Sequence, residues 1–310
     1  MFLSSKARFS IGALFLAAFA CGCPTGPKLS PHVRLASDLV YGQGYVADAT
    51  SETGYALEDL YFDLLEPTDV TPSNRPAVLV IHGGSFTGGS KTHENLVILA
   101  DSLAAQGYVC FLIDYRVDGD EPPETDWELD VNVKKALGFL PTARSVRAAF
   151  VDAKTAMRHI RANSQTYGVD PNRIAAWGES AGAFAALAAG ITESRDFEDD
   201  GPAYPVPQVN NPGVDSAPNA LIDCWGGAFF PDDEFDPNDP PVMIFHGTFD
   251  GTVPFIPFAT TVQSACAANA IPYRYYLIFG GGHGCWDCES EDKDLSTLTL
   301  EFLADFMPQS

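Results

Sequence analysis

Five short apolar runs share one design, and each stops at a glycine or a polar tip. They are Pro76–Gly84 (PAVLVIHGG), Tyr108–Arg116 (YVCFLIDYR), Arg173–Gly178 (RIAAWG), Pro241–Gly247 (PVMIFHG) and Tyr273–Gly281 (YRYYLIFGG). An unbroken apolar run of this length reads as a strand covered on both faces, which is the habit of parallel sheets. Helical periodicity falls between the runs. Thr92–Gln106 is followed by Gly107, and Ser145–Tyr167 carries Val146, Phe150, Ala153, Met157 and Ile160 on one stripe. Ala181–Gly190 is a helix of small residues, another helix falls between the last two strands, and Leu295–Met307 closes the chain. Strands alternating with helices predict the α/β class, with a mostly parallel central sheet and helices on both faces. The chain is 46% hydrophobic over 310 residues, enough to fill one large core.

The remaining segments look peripheral. Leu57–Pro67 alternates apolar and polar residues, as an edge strand does. Residues 21–54 are expected to form an irregular arm, and residues 55–310 the folded body. Residues 117–141 and 192–218 read as loop insertions, too short for a full helical cap over the sheet. At the start, Lys6 and Arg8 precede the apolar stretch Ile11–Ala20, and Ala18-Phe19-Ala20 offers a cleavage site before Cys21. A stretch this short does not span a bilayer, so residues 1–20 read as an export signal. Acylation of Cys21 or Cys23 is the alternative to simple cleavage. The expected location is outside the cytoplasm: secreted, periplasmic or lipid-anchored at the cell surface.

Net charge narrows the partners. The 18 Lys and Arg residues stand against 41 Asp and Glu, a formal charge of −23. Such a chain repels nucleic acid and anionic lipid surfaces. The oligomeric state is not legible.

In open parallel sheets, chemistry gathers beyond the carboxyl ends of the strands. Four strand ends carry a glycine-rich turn with a polar tip: HGGSFTGG, GESAG, HGTFDGT and GGGHG. Gly178-Glu179-Ser180-Ala181-Gly182 fits G-x-S-x-G between a strand and a helix. There the glycines allow the strained turn that lifts a serine hydroxyl clear of the sheet. The helix starting at Ala181 points its N–H groups at the same place. A serine needs a base. Of the six histidines, only His283 follows the last strand on a loop able to reach Ser180. Asp250, between Ser180 and His283 in sequence and also at a strand end, is the expected orienting acid, with Asp223 as its competitor. The order Ser, Asp, His is that of an α/β-hydrolase.

HGGSF, DYR, GESAG, HGTFD and GGGHG, in that order, resemble the carboxylesterase and lipase branch of the α/β-hydrolases, closest to HGGG-type bacterial esterases. The likeness covers roughly residues 55–308 and implies an α/β-hydrolase fold without a full cap domain. It implies cleavage of small-molecule or polymer-linked carboxylic esters through an acyl-enzyme, with no metal or organic cofactor. By the same resemblance, Gly83 and Gly84 would supply oxyanion-hole N–H groups with Ala181 as the third. His82 would hold that loop. Ser85 stands at the third small position of the loop, a departure from HGGG. Phe86, Trp225, Phe229, Phe230 and Trp286 follow strand ends and are candidates for a pocket lining. Exported feruloyl and acetyl-xylan esterases are similar open enzymes. The alternatives are an exopeptidase or amidase on the same three residues, and a non-catalytic surface protein on a hydrolase fold.

GGGHGCWDC, Gly280–Cys288, needs its own reading. A His beside Cys-x-x-Cys suggests metal or redox chemistry, but no second cluster at ligand spacing exists, and the pair follows the last strand instead of an early one. The acidic stretch Pro231–Asp239 fits no EF-hand spacing and reads as a solvated loop. In an exported chain Cys224, Cys266, Cys285 and Cys288 can pair in three ways, and Cys110 reads as a free core thiol.

Overall fold

The computed structural model describes residues 28–308 except 70, 72, 128–136, 138–140 and 230–233. The leader, Cys21 and Cys23 lie outside the described residues, as do Phe230 and the start of the acidic stretch.

Eight strands form one sheet: β1 Val33–Ala47, β2 Tyr55–Pro67, β3 Arg75–Ile81, β4 Val109–Ile113, β5 Val169–Glu179, β6 Ala220–Cys224, β7 Val242–Gly247 and β8 Tyr273–Ile278. Their order is β1-β2-β4-β3-β5-β6-β7-β8. β1 and β2 are antiparallel to their neighbours, and every pairing from β4 to β8 is parallel. The apolar runs of β3, β4, β5 and β7 are buried on both faces, as their composition requires, whereas β8 is an edge of the sheet with Leu277 41% exposed. Val78 and Val80 face one layer of helices, while Ala77, Leu79 and Ile81 face the other. The first layer holds α1 (Glu94–Ala104) and α5 (Leu295–Phe306). The second holds α2 (Ala143–Ala162), α3 (Ala181–Ile191) and α4 (Phe258–Ala268).

Two expectations are corrected. The arm is not irregular, because Val33–Ala47 is a 15-residue strand paired along its length with β2. Leu57–Pro67 is therefore the second strand and not the edge. The reason β1 escapes a periodicity reading lies in its register. Shifts between Ala36 and Leu39 and between Val40 and Gly42 change which face each residue takes, so no period-2 pattern survives. Asp38 sits in one of these irregularities with φ 55°, its N–H bonded to the Asp63 carboxylate at 2.9 Å.

The segments of residues 117–141 and 192–218 contain only the short 3₁₀ turns Asp118–Asp120 and Gln208–Asn210 among the described residues. No helix of the described residues is long and apolar enough to cross a membrane.

Candidate active site

β5 ends at Glu179 and α3 begins at Ala181, so Ser180 is the single residue of the reversal. Its backbone stands at φ 50° and ψ −120°, a conformation an L residue holds only under constraint. The constraint is steric. A Cβ on Gly178 would strike the Gly182 carbonyl, and a Cβ on Gly182 would strike the Ile81 and His82 carbonyls of β3. Only glycine at both positions lets strand, turn and helix approach this closely. The reversal is held further by the Ser180 N–H, which donates to the Cys224 carbonyl at 2.9 Å.

His283 arrives on the loop after β8, and Asp250 on the turn after β7. The His283 Nε2 lies 2.9 Å from the Ser180 Oγ, and its Nδ1 lies 2.8 Å from the Asp250 Oδ2. The three residues thus form one continuous hydrogen-bond chain. Asp223, the competing acid, is on β6, and His283 does not take it as a partner. The Asp250 side chain is fully buried, while His283 is 24% exposed and open to the cavity. The Asp250 Oδ1 accepts the N–H groups of Thr252 and Val253, each at 2.9 Å. Burial alone would raise the Asp250 pKa. Hydrogen bonds from His246, His283 and the Val253 N–H outweigh it and hold the carboxyl well below the usual carboxylate range. Asp250 is ionised at every ordinary pH.

The HGGSF loop lies directly beside Ser180. A Cβ on Gly83 would stand 3.1 Å from the Ser180 Cβ, a contact tight enough to press on the serine. His82 is nearly fully buried and burial lowers its pKa, so it is neutral. Its Nδ1–H donates to the Gly83 carbonyl at 2.6 Å, its ring stacks on Tyr115 at 4.3 Å, and the Tyr115 hydroxyl donates to the His82 carbonyl at 3.0 Å. The Gly83 N–H is not free in this arrangement, because it donates to the Glu179 Oε1 at 3.3 Å. Burial raises the Glu179 pKa, and the Gly83 N–H and His93 oppose the shift. At the start of α3, Ala181 and Gly182 have N–H groups without an intrahelical acceptor, as every helix start does.

A cavity of about 450 Å³ opens at Ser180, lined by Gly83, Gly84, His93, Glu179, Trp225 and Trp286 among others. Trp286 stands on Trp177 at 5.6 Å and edge-on to Trp225 at 5.2 Å. Of the candidate aromatics, Trp225 and Trp286 face the cavity. Phe86 and Phe229 do not, since they are buried beside Phe184 in the α2–α3 layer. The sulfurs of Cys285 and Cys288, on either side of Trp286 in sequence, lie within bonding distance, whereas Cys110, Cys224 and Cys266 are free and buried. The histidine loop is therefore not tied to Cys224. No group of three or more His, Cys, Asp or Glu side chains is placed to hold a metal ion among the described residues.

Two residues of the site carry no role legible in the sequence pattern. Glu179 was only the variable position of G-x-S-x-G. His246 was only a histidine at a strand end, yet its Nε2 lies 3.3 Å from the Asp250 Oδ2. The signal was present in HGTFD, where both residues follow one strand four positions apart.

A family model described as BD-FAE, a domain of α/β-hydrolase esterases, matches residues 139–230, which span α2, β5, the Ser180 turn and β6. Among curated proteins, the chain is 25% identical over 258 residues to Esterase LipC of Mycobacterium tuberculosis, covering 72% of this chain and 56% of that protein. It is 28% identical over 161 residues to Fumonisin B1 esterase of Sphingopyxis macrogoltabida, covering 49% of this chain and 26% of that protein. The chain thus spans about half or less of the length of these relatives. Among solved structures, a truncated carbohydrate esterase from gut microbiota superposes with a TM-score of 0.64 at 16% identity, covering 91% of this chain and 99% of that one. Thermogutta terrifontis esterase 2, phosphorylated by paraoxon, gives 0.64 at 23% identity, covering 92% and 97%. The chain has the α/β-hydrolase fold.

Proposed function

We propose that this α/β-hydrolase-fold chain is a serine esterase that cleaves carboxylic esters through an acyl-enzyme. One observation carries the reading: the unbroken chain of hydrogen bonds from Asp250 through His283 to Ser180, at the mouth of a cavity. Similarity to proteins named as esterases supports it.

His283 takes the Ser180 proton as the oxygen attacks the ester carbonyl, and it then gives that proton to the leaving alcohol. Asp250 keeps the Nδ1–H in place and stabilises the imidazolium. The oxyanion is held by backbone N–H groups of Ala181, Gly84 and Gly83, and Gly83 turns from Glu179 to the new charge. Water then repeats the cycle on the acyl-enzyme. The open cavity suits small and medium esters, free or attached to a polymer. We further propose export, by the leader at residues 1–20, with Cys21 or Cys23 as a possible lipid attachment point. In that oxidising setting Cys285 and Cys288 are bridged.

Turnover of p-nitrophenyl acetate by Ser180→Ala tests the reading. Loss of about 10³-fold or more in kcat is expected, and wild-type turnover by the folded variant would remove Ser180 as nucleophile. An aminoacyl-p-nitroanilide assayed beside it separates an esterase from an exopeptidase.

A further inference from the structure

His246 is an unusual residue to find at the end of β7. It is completely buried, and its Nε2 lies 2.8 Å from the Val253 carbonyl and 3.3 Å from the Asp250 Oδ2. Both of those atoms are acceptors, so Nε2 carries the proton; it donates to the Val253 carbonyl and stands beside the Asp250 Oδ2. The Asp250 carboxylate receives three N–H groups, from the Thr252 and Val253 backbone on Oδ1 and from His283 on Oδ2, and His246 Nε2 closes on the same Oδ2 at 3.3 Å.

The far side of the ring supplies a second observation. The ring's Nδ1 is buried with no hydrogen-bond partner among the described residues. The Oδ2 of Asp223 is in the same condition. β6 pairs with β7 so that Asp223 stands beside Ile244, which puts Asp223 and His246 on one face of the sheet, two positions apart. Asp223 is buried and interacts electrostatically with His246.

We propose that His246 is a positioning residue that extends the Ser180–His283–Asp250 chain inward, locking the Asp250 carboxylate through its Nε2–H. The assignment rests on the esterase reading above. It explains why the second histidine stands four residues before the acid. His246 itself never meets substrate. Its effect passes through Asp250 to the orientation of His283, so it acts on the chemical step and not on binding.

The test is a double-mutant cycle in the full chain with p-nitrophenyl acetate. His246→Phe keeps a ring and removes the N–H. It is expected to lower kcat about 30-fold while KM changes less than about twofold. His246→Gln, whose amide N–H replaces Nε2–H, is expected to recover kcat to within about fivefold of wild type. In an Asp250→Asn background, His246→Phe is expected to cost less than about threefold more, because the group it acts through is already lost. An equal 30-fold cost in both backgrounds, or a KM rise at constant kcat, overturns the proposal. If His246→Phe does not fold, nitrogen NMR of the wild-type imidazole decides. The proton is expected on Nε2, and a proton on Nδ1 contradicts the assignment. Failure of the esterase reading would appear as undiminished turnover by Ser180→Ala. Failure of the His246 role would appear with that serine dependence intact.

Discussion

The Ser180 turn and the His283 loop meet at 2.9 Å but are held in opposite ways. The serine turn is fixed by backbone against backbone. Gly178 and Gly182 leave no room for a Cβ, and Ser180 is 6% exposed between a strand and a helix. The histidine loop is pinned by backbone only at its start, where a Cβ on Gly247 would strike the Gly281 carbonyl, and it is open around the histidine, where a Cβ on Gly282 or Gly284 meets nothing within 4 Å. The His283 ring itself is placed by a side chain, the Asp250 carboxylate. A nucleophile must not move, and sterics enforce that at the cost of strain. A base must swing a proton between two oxygens, and ligation by a buried carboxylate leaves it that freedom.

The contrast can be broken most sharply at Gly182. Gly182→Ala forces α3 away from β3, a strain of about 2–3 kcal/mol, and displaces both Ser180 and the Ala181 N–H. We expect kcat to fall about 100-fold, with a melting temperature lowered by roughly 5–10 °C. An active, undestabilised variant would mean that the turn is not fixed by contact.

A smaller effect is expected at the side-chain-held loop. Reduction and alkylation of Cys285 and Cys288 opens a ring whose entropic contribution is at most about 2 kcal/mol. It frees Trp286 and loosens His283, so kcat should fall about threefold to tenfold. Intact mass before and after treatment establishes whether the bridge was present. Unchanged mass and activity would remove the bridge while leaving the three-residue chain untouched.

The smallest effect is expected at Gly282→Ala, in open space on the same loop. Activity within about twofold of wild type is expected, since exposed substitutions away from fixed contacts cost little. A loss as large as that at Gly182 would show both regions to be held by sterics, and the distinction would fail.

The same contrast accounts for what the sequence made legible. Regions governed by backbone sterics leave compositional traces: glycines two positions either side of Ser180, and apolar runs for β3, β4, β5, β7 and β8. They were readable without coordinates, as was the α/β-hydrolase class. Side-chain ligation leaves almost none. The Glu179 contact with Gly83 and the His246 contact with Asp250 join residues whose types are ordinary for their positions. β1 was hidden for a third reason. Its irregular register scatters apolar residues over both faces, and Gly42 and Gly44 read as loop when they serve close packing on Thr155 and Arg116.

The central claim is that Ser180, activated by His283, is the group that becomes covalently modified. Mass spectrometry after exposure to diethyl p-nitrophenyl phosphate addresses it directly. One diethylphosphoryl adduct per chain is expected, on the peptide containing Ser180, with none on His283→Ala in the same time. An adduct at another residue, or an unmodified Ser180 in a protein that still hydrolyses p-nitrophenyl acetate, would contradict the account.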